Sequence, residues 1–363
     1  MSNPKLIKKG EYFMTGKMKA AVFYGPRNIQ ITDMPIPVPN SNELLIKVKY
    51  TGICGSDLHV YKGTSPEPMA ANPVLGHELG GEVVETGKDV SGFKPGDRVG
   101  VEPLIGCGRC GYCAEGKYHL CSKLELIGME RKGGFAEYVV VPKDKAYILP
   151  EFISYQEAAL LDSLAVGVHT INRTAVTIGS TAVLFGCGTM GLLLLQLVRI
   201  AGANRIFAVD LNDAHLAIAR EVGATETINP RHKDPVKYIL DATSNSGVDF
   251  TFESVGGTAP TFVQSLEVIR KGGTMSFQGI FSEEMPVSLW KILSKEVNIL
   301  PAWSYARWGN VSEYALALNI MASDKIITKP ILSKEFSLLE ISNAFEDALK
   351  GNSIKTLINC SIN

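Results

Sequence analysis

The hydrophobic positions of this chain fall into two textures that meet near Pro150. From Met18 to Tyr24 the residues are almost continuously apolar, and Leu44–Ile53, Val74–Val84, Asp97–Val101 and Phe135–Val141 repeat the pattern as short apolar runs broken by Gly, Pro and Asp. Runs of this length with turn residues between them predict a compact, mainly β unit. Beyond Pro150, Tyr155–Thr170 carries apolar residues at helical spacing, and from Thr181 short apolar runs alternate with longer amphipathic stretches. That alternation predicts an α/β unit built on a parallel sheet. Its strands are expected at Ala182–Phe185, Arg205–Val209, Glu226–Ile228, Val248–Glu253, Thr274–Gln278 and Val297–Pro301. After Val311 a helix, a short strand near Ile331 and a helix at Ile341–Lys350 are expected, placed to pack back on the first unit. Residues 1–17 match neither texture and read as an N-terminal extension.

A length of 363 residues exceeds what one hydrophobic core normally organises and favours two domains. With 45% hydrophobic and 20% charged residues the chain can bury enough apolar surface to fold, which excludes disorder. Lys plus Arg is 36 against 37 for Asp plus Glu, so there is no basic excess for a phosphate backbone or an anionic membrane. Nucleic acid and lipid are therefore not expected as partners. The most apolar stretch, Ala182–Ile200, approaches a membrane-spanning length, but Gly186, Gly188 and Gly191 interrupt it and Gln196 and Arg199 sit near its end. Lys5, Lys8 and Lys9 precede no apolar run or small-residue cleavage site, so no secretory signal is read and the cytoplasm is the expected location.

Those three glycines belong to a motif. Thr181–Phe185 reads as a strand, Gly186-Cys187-Gly188-Thr189-Met190-Gly191 as a GxGxxG turn, and the leucine-rich continuation as a helix. Glycines there permit a tight turn and close approach of a pyrophosphate to the helix N-terminal amides. A second strand ends in Asp210, near the spacing at which a carboxylate accepts the ribose hydroxyls. Its charge repels a 2′-phosphate and favours NAD over NADP. The competing reading is a glycine turn whose Asp210 merely caps the next helix. His215, five residues on, is a candidate contact to the adenosine ribose, although it reads first as a surface histidine on a helix.

Four of the seven cysteines, Cys107, Cys110, Cys113 and Cys121, form CxxCxxCx7C. Four thiolates can close a tetrahedral shell, which reads as structural zinc. An iron–sulfur cluster fits less well, because the last gap is seven residues and Ser122 stands where proline is expected. Cys54, in GICGSDLH, and His77, in LGHE, supply a soft and a borderline ligand, with Glu78 and Asp162 as candidate oxygen donors. A set of about three protein ligands leaves a metal position open for substrate.

These segments together, with Gly133–Tyr138 and Leu160–Gly167, occur in the order found in zinc-dependent medium-chain dehydrogenase/reductases, and the chain resembles the sorbitol, polyol and threonine dehydrogenase branch from Met18 to about Cys360. The resemblance implies a GroES-like, mainly β catalytic domain from residues 18–167 and 303–363, and a Rossmann, doubly wound NAD-binding domain from residues 168–302. It implies a catalytic zinc at Cys54 and His77, with Glu78 and Asp162 as alternative oxygen donors, and a second, structural zinc at the four-cysteine lobe. Ser56 matches the hydroxyl that takes the substrate proton, His59 the outward relay, and Asp57 the carboxylate that orients the zinc histidine. Val255, Gly279 and Ile280 are implied as cofactor contacts alongside the glycine turn.

Two departures bear on substrate. Asp162-Ser163 stands where polyol dehydrogenases usually carry Glu-Pro. Trp303, in Pro301-Ala302-Trp303-Ser304-Tyr305, replaces part of a common Arg-Tyr pair and is similar to sugar-alcohol-phosphate dehydrogenases such as galactitol 1-phosphate dehydrogenase. The implied activity is hydride transfer between NAD and a secondary alcohol, whether polyol, sugar alcohol or sugar-alcohol phosphate. Threonine or 2,3-butanediol oxidation by the same chemistry is the alternative, and a non-catalytic NAD-binding protein the alternative class. A homodimer or homotetramer is implied by the family alone.

Overall fold

The structure, a computed structural model, describes residues 16–65 and 73–362. Most of the assigned N-terminal extension, residues 1–15, lies outside the described residues. The first strand, Lys17–Gly25, pairs antiparallel with Asn28–Pro35 across a tight turn at Arg27, whose φ of 57° is left-handed. The second strand of this hairpin was not expected from the hydrophobic pattern, because its outward positions are polar.

A seven-stranded sheet forms the first unit. Its spatial order is Leu332–Ser337, Lys355–Asn359, Glu43–Gly52, Glu78–Thr86, Arg98–Val101 and Ala146–Ile148, with Tyr138–Pro142 also paired to Glu43–Gly52. Strands distant in sequence therefore share one sheet, and Glu43–Gly52 holds three neighbours along its length. The strand near Ile331 is observed as Leu332–Ser337, whereas Lys355–Asn359 was not anticipated.

The second sheet is six-stranded and parallel throughout, in the order Glu226–Ile228, Arg205–Val209, Thr181–Phe185, Val248–Glu253, Ile269–Phe277 and Asn298–Ile299. The order reverses beside Thr181–Phe185, as in doubly wound folds that bind ligands at the carboxyl ends of their strands. Central strands such as Thr181–Phe185 are buried on both faces, which is why they appear as unbroken apolar runs. The helix Thr189–Ile200 is buried from Gly191 to Val198, so its hydrophobicity serves the core. No helix among the described residues is long and apolar enough to cross a membrane.

Two short helices replace the single one expected at Tyr155–Thr170. Tyr155–Ala158 starts from a capping box made by Ser154 and Glu157, and Leu161–Thr174 follows after a break. Leu161–Thr174 packs against Thr189–Ile200, with Gly167 at the crossing: a Cβ there would lie 2.6 Å from Leu197 Cδ1. At its far end Thr170 Oγ1 accepts from Gln278 Nε2 at 3.1 Å, so one helix touches both sheets.

Candidate active site

Glu43–Gly52 delivers the chain to Cys54, which caps the helix Gly55–Lys62. Asp57 reaches back so that its Oδ2 accepts from the Cys54 amide at 2.9 Å. Its other oxygen lies 3.6 Å from His77 Nδ1, and neither of these buried atoms has a hydrogen-bond partner. The Cys54 sulfur, a His77 ring nitrogen and a Glu78 carboxylate oxygen lie within 4.8 Å of one another. Burial pushes His77 down, yet the negative charge of Asp57 and Cys54 outweighs it and raises the imidazole well above its ordinary value. The sulfur of Cys54 and the carboxylates of Asp57 and Glu78 make this pocket electron-rich. A divalent metal fits it: thiolate, imidazole and carboxylate are zinc ligands, and a carboxylate beside the second ring nitrogen fixes the histidine's tautomer.

Glu78 is 1% exposed and held at both oxygens. Ser163 Oγ donates to Oε1 at 2.7 Å, and Lys355 Nζ donates to Oε2 in a fully buried ion pair. Lys355 also donates to the Ile53 carbonyl at 3.3 Å. Asp162 falls outside the three-residue set. Its Oδ1 accepts from the Tyr305 hydroxyl at 2.6 Å, and burial pushes its carboxyl up to about 6. Lys355, Ser163 and Tyr305 were not identified as site residues from the sequence. A lysine inside the apolar run Ile354–Ile358 is the signal that could have revealed the first.

Ser56 and His59 share one face of the helix Gly55–Lys62, three residues apart and both half-buried. His59 Nδ1 meets Thr64 Oγ1 at 3.2 Å, and burial lowers its pKa. Trp303, 59% exposed, lies two residues before the buried Tyr305.

The four thiols Cys107, Cys110, Cys113 and Cys121 also lie within 4.8 Å of one another. Amides of Cys107 and Lys123 donate to Cys121 Sγ at 3.4 and 3.3 Å, and those of Arg109 and Cys110 draw the Cys107 thiol down to about 6. Thiolates so supported can hold one tetrahedral ion. His119, between the last two cysteines, meets His169 edge-on at 5.0 Å. His169 Nδ1 lies 2.7 Å from Oε2 of the fully buried Glu313, which also accepts from Asn172 and the Ala306 amide.

A cavity of about 600 Å³ opens at the carboxyl ends of the parallel strands. Gly186, Gly188, Asp210, His215 and Val255 line it, joined by Arg231 and Lys350. Asp210 accepts from the Cys187 amide at 2.7 Å and the Asn212 amide at 2.8 Å, with His215 Nδ1 at 3.7 Å. Burial opposes its ionisation, but His215 and these amides more than offset that and lower its pKa. Thr189, Met190, Gly191, Gly279 and Ile280 are not part of the wall. Thr189 Oγ1 donates to the Ile354 carbonyl at 2.9 Å, Met190 packs against the core, and Gly191 closes on the Gly186 carbonyl. Gly279 lets the chain pass Glu253 and Gly256, and the Ile280 carbonyl accepts from the Gly257 amide.

Residues 40–151 match the alcohol dehydrogenase GroES-like domain, and residues 189–323 match the zinc-binding dehydrogenase domain. Sorbitol dehydrogenase of Bacillus subtilis is 36% identical over 348 residues, covering 94% of this chain and 97% of that protein. The chain belongs to the zinc-dependent medium-chain dehydrogenase/reductase family. Within it, this dehydrogenase is similar to a solved zinc-binding dehydrogenase from Sinorhizobium meliloti bound to NADP, with 33% identity, a TM-score of 0.88 and coverage of 95% and 99% of the two chains. Galactitol-1-phosphate dehydrogenase from Escherichia coli superposes with a TM-score of 0.86 at 26% identity, covering 94% of this chain and 100% of its own. The dehydrogenase is thus an oxidoreductase of the polyol dehydrogenase-like type, on a GroES-like plus Rossmann fold.

Proposed function

We propose that the dehydrogenase transfers hydride between NAD and a secondary alcohol of the polyol class, giving the ketone. The convergence of Cys54, His77 and Glu78 carries the reading, since thiolate and imidazole serve as standing zinc ligands, with the Glu78 carboxylate alongside as an exchangeable donor, and leave room for substrate. Zinc held there supplies Lewis acidity that makes an alcohol hydroxyl acidic near neutral pH. The chain's own residues do the rest. Asp57 orients His77, and Ser163 with Lys355 fixes Glu78. Ser56 Oγ would take the substrate proton as it gives up its own hydroxyl proton outward, and His59, one turn along the helix, would release a proton to solvent. Asp210, at the wall of the strand-end cavity, accepts the ribose hydroxyls and selects NAD.

This reading assigns residues 18–167 and 303–363 to the catalytic domain and 168–302 to the coenzyme domain, with the helix Leu161–Thr174 crossing the boundary. It assigns the four-cysteine lobe a second, structural zinc, and it places the enzyme in the cytoplasm as a homodimer or homotetramer.

The test is nicotinamide reduction by zinc-replete protein across polyols, polyol phosphates, 2,3-butanediol and threonine, with NAD and NADP compared. Turnover of polyols with NAD, abolished in Cys54→Ala and His77→Ala while NADH still binds, is the expected result. Turnover retained in either variant overturns the metal assignment. Tight dinucleotide binding without turnover of any alcohol overturns the enzyme reading.

A further inference from the structure

Glu78 belongs to the metal set, yet both of its oxygens are already engaged by buried donors. Ser163 Oγ holds Oε1 at 2.7 Å and Lys355 Nζ holds Oε2, with Ser163 7% and Lys355 2% exposed. Solvent cannot compete for these donors at such burial, so the bonds persist and fix the carboxylate's orientation.

The two restraints differ in kind. Lys355 is anchored by the Ile53 carbonyl and lies against Gly52, where a Cβ would come within 2.6 Å of Glu78 Oε2 and 3.1 Å of Lys355 Cδ. That side of the carboxylate is walled by strand backbone and by the opposite charge it needs. The Ser163 bond is a single neutral hydroxyl on another element, the third residue of the helix Leu161–Thr174. Motion that keeps the ion pair therefore breaks the Ser163 bond first and frees Oε1, on a carboxylate that already lies within 4.8 Å of the Cys54 and His77 ligand atoms.

The geometry points to Ser163 as a positioning residue that latches Glu78 into its ion pair with Lys355 and so keeps the carboxylate from taking the metal position meant for substrate. This inference rests on the metal site proposed above. Without the latch, Glu78 becomes a standing ligand, coordination number rises, and the substrate competes with a carboxylate of the protein.

The experiment is cobalt substitution, because d–d band intensity falls when a four-coordinate ion gains a ligand. Spectra of the wild type, Ser163→Ala, Ser163→Thr and the double variant S163A/E78Q are each taken as the difference from the same protein carrying Cys54→Ala, which isolates this site from the four-cysteine lobe. Extraction of the metal by a chelator is followed in parallel. The latch predicts weaker bands in S163A, chelator extraction slowed about tenfold, the scale on which groups behind a metal ligand act, and a lower kcat. It predicts wild-type behaviour in S163T, which restores the hydroxyl, and recovery of band intensity in S163A/E78Q. Coincident spectra for S163A and the wild type overturn it, as does a change that persists in S163A/E78Q or an S163T variant that behaves like S163A. Cobalt bands unaltered by Cys54→Ala in otherwise wild-type protein overturn the metal site itself, and the latch with it.

Discussion

Two glycines of the GxGxxG turn, three residues apart, serve different ends, and replacing each by alanine separates them. A Cβ on Gly191 would stand 1.9 Å from the Gly186 carbonyl oxygen and 2.9 Å from its carbon. Both are backbone atoms, and Gly186 is itself held at a φ of 95°, so the turn has no flexible side chain to yield. The helix Thr189–Ile200 must move off the strand Thr181–Phe185, and overpacking of this kind costs about 1–3 kcal/mol. Backbone obstruction puts Gly191→Ala at the upper end.

A Cβ on Gly188 meets nothing within 4 Å, at an ordinary φ of −75°. Alanine is a poorer N-cap than glycine by a few tenths of a kcal/mol or more, but it also lowers the unfolded chain's entropy by roughly 0.4–1 kcal/mol. The two nearly cancel. What the methyl group removes is space beside the helix amides on the cavity wall. Loss of one charge-assisted hydrogen bond there is worth about 1.5 kcal/mol or more, roughly tenfold in affinity. Urea denaturation without cofactor and NADH fluorescence titration read the two effects separately. Gly188→Ala is expected to unfold with the wild type yet bind about tenfold more weakly, whereas Gly191→Ala loses both stability and binding. A Gly191→Ala protein with the wild-type midpoint, or a Gly188→Ala protein that unfolds early while binding normally, refutes the reasoning.

Replacing Lys355 by Met leaves a buried carboxylate without its cation, which costs about 3–5 kcal/mol; urea midpoints should show this loss, and Glu78→Gln in the same chain should recover most of it. Glu313 feels burial that raises its pKa, but the His169, Ala306 and Asn172 hydrogen bonds prevail and lower it. Its stabilisation is therefore present above the unfolded glutamate value and lost as pH falls through the lower folded one, so Glu313→Gln should flatten the acid limb of a stability–pH profile and cost about 2 kcal/mol at neutral pH. Removing the Asp210 carboxylate with Ala should raise KM for NAD roughly 10- to 100-fold and narrow the NAD to NADP preference, measured by initial rates. An unchanged preference would place the selectivity elsewhere in the cavity, with Arg231 and Lys350 the residues to alter next.

The parts of this molecule that were legible in sequence are those whose environment is local or repetitive. Parallel strands buried on both faces, such as Thr181–Phe185 and Val248–Glu253, leave continuous apolar runs, and the glycine turn between strand and helix is written in consecutive residues. Asn28–Pro35 escaped notice because its outward side chains face water and its pattern is mostly polar. The Tyr155–Thr170 stretch read as one helix because periodicity does not register a break that costs two residues at Ala159 and Leu160. At the site, Cys54, His77 and Glu78 stand in short motifs and could be named. Ser163 and Tyr305 act through partners 85 and 143 residues away, and no local pattern announces a hydroxyl whose acceptor lies on another element.

The buried pair between Lys355 and Glu78 also sets an order of events during synthesis. The two residues are 277 positions apart, and the lysine arrives on a strand that pairs with Glu43–Gly52. At elongation rates of about 5–20 residues per second, roughly 15–55 s pass between their appearances on the ribosome. Throughout that interval the nascent chain displays Cys54, His77 and Glu78 without the cation that neutralises the carboxylate. An ion that met this early trio would find a more anionic site than the finished one, in which Lys355 pairs with Glu78. A ribosome stalled before that codon would hold a metal trap rather than an enzyme.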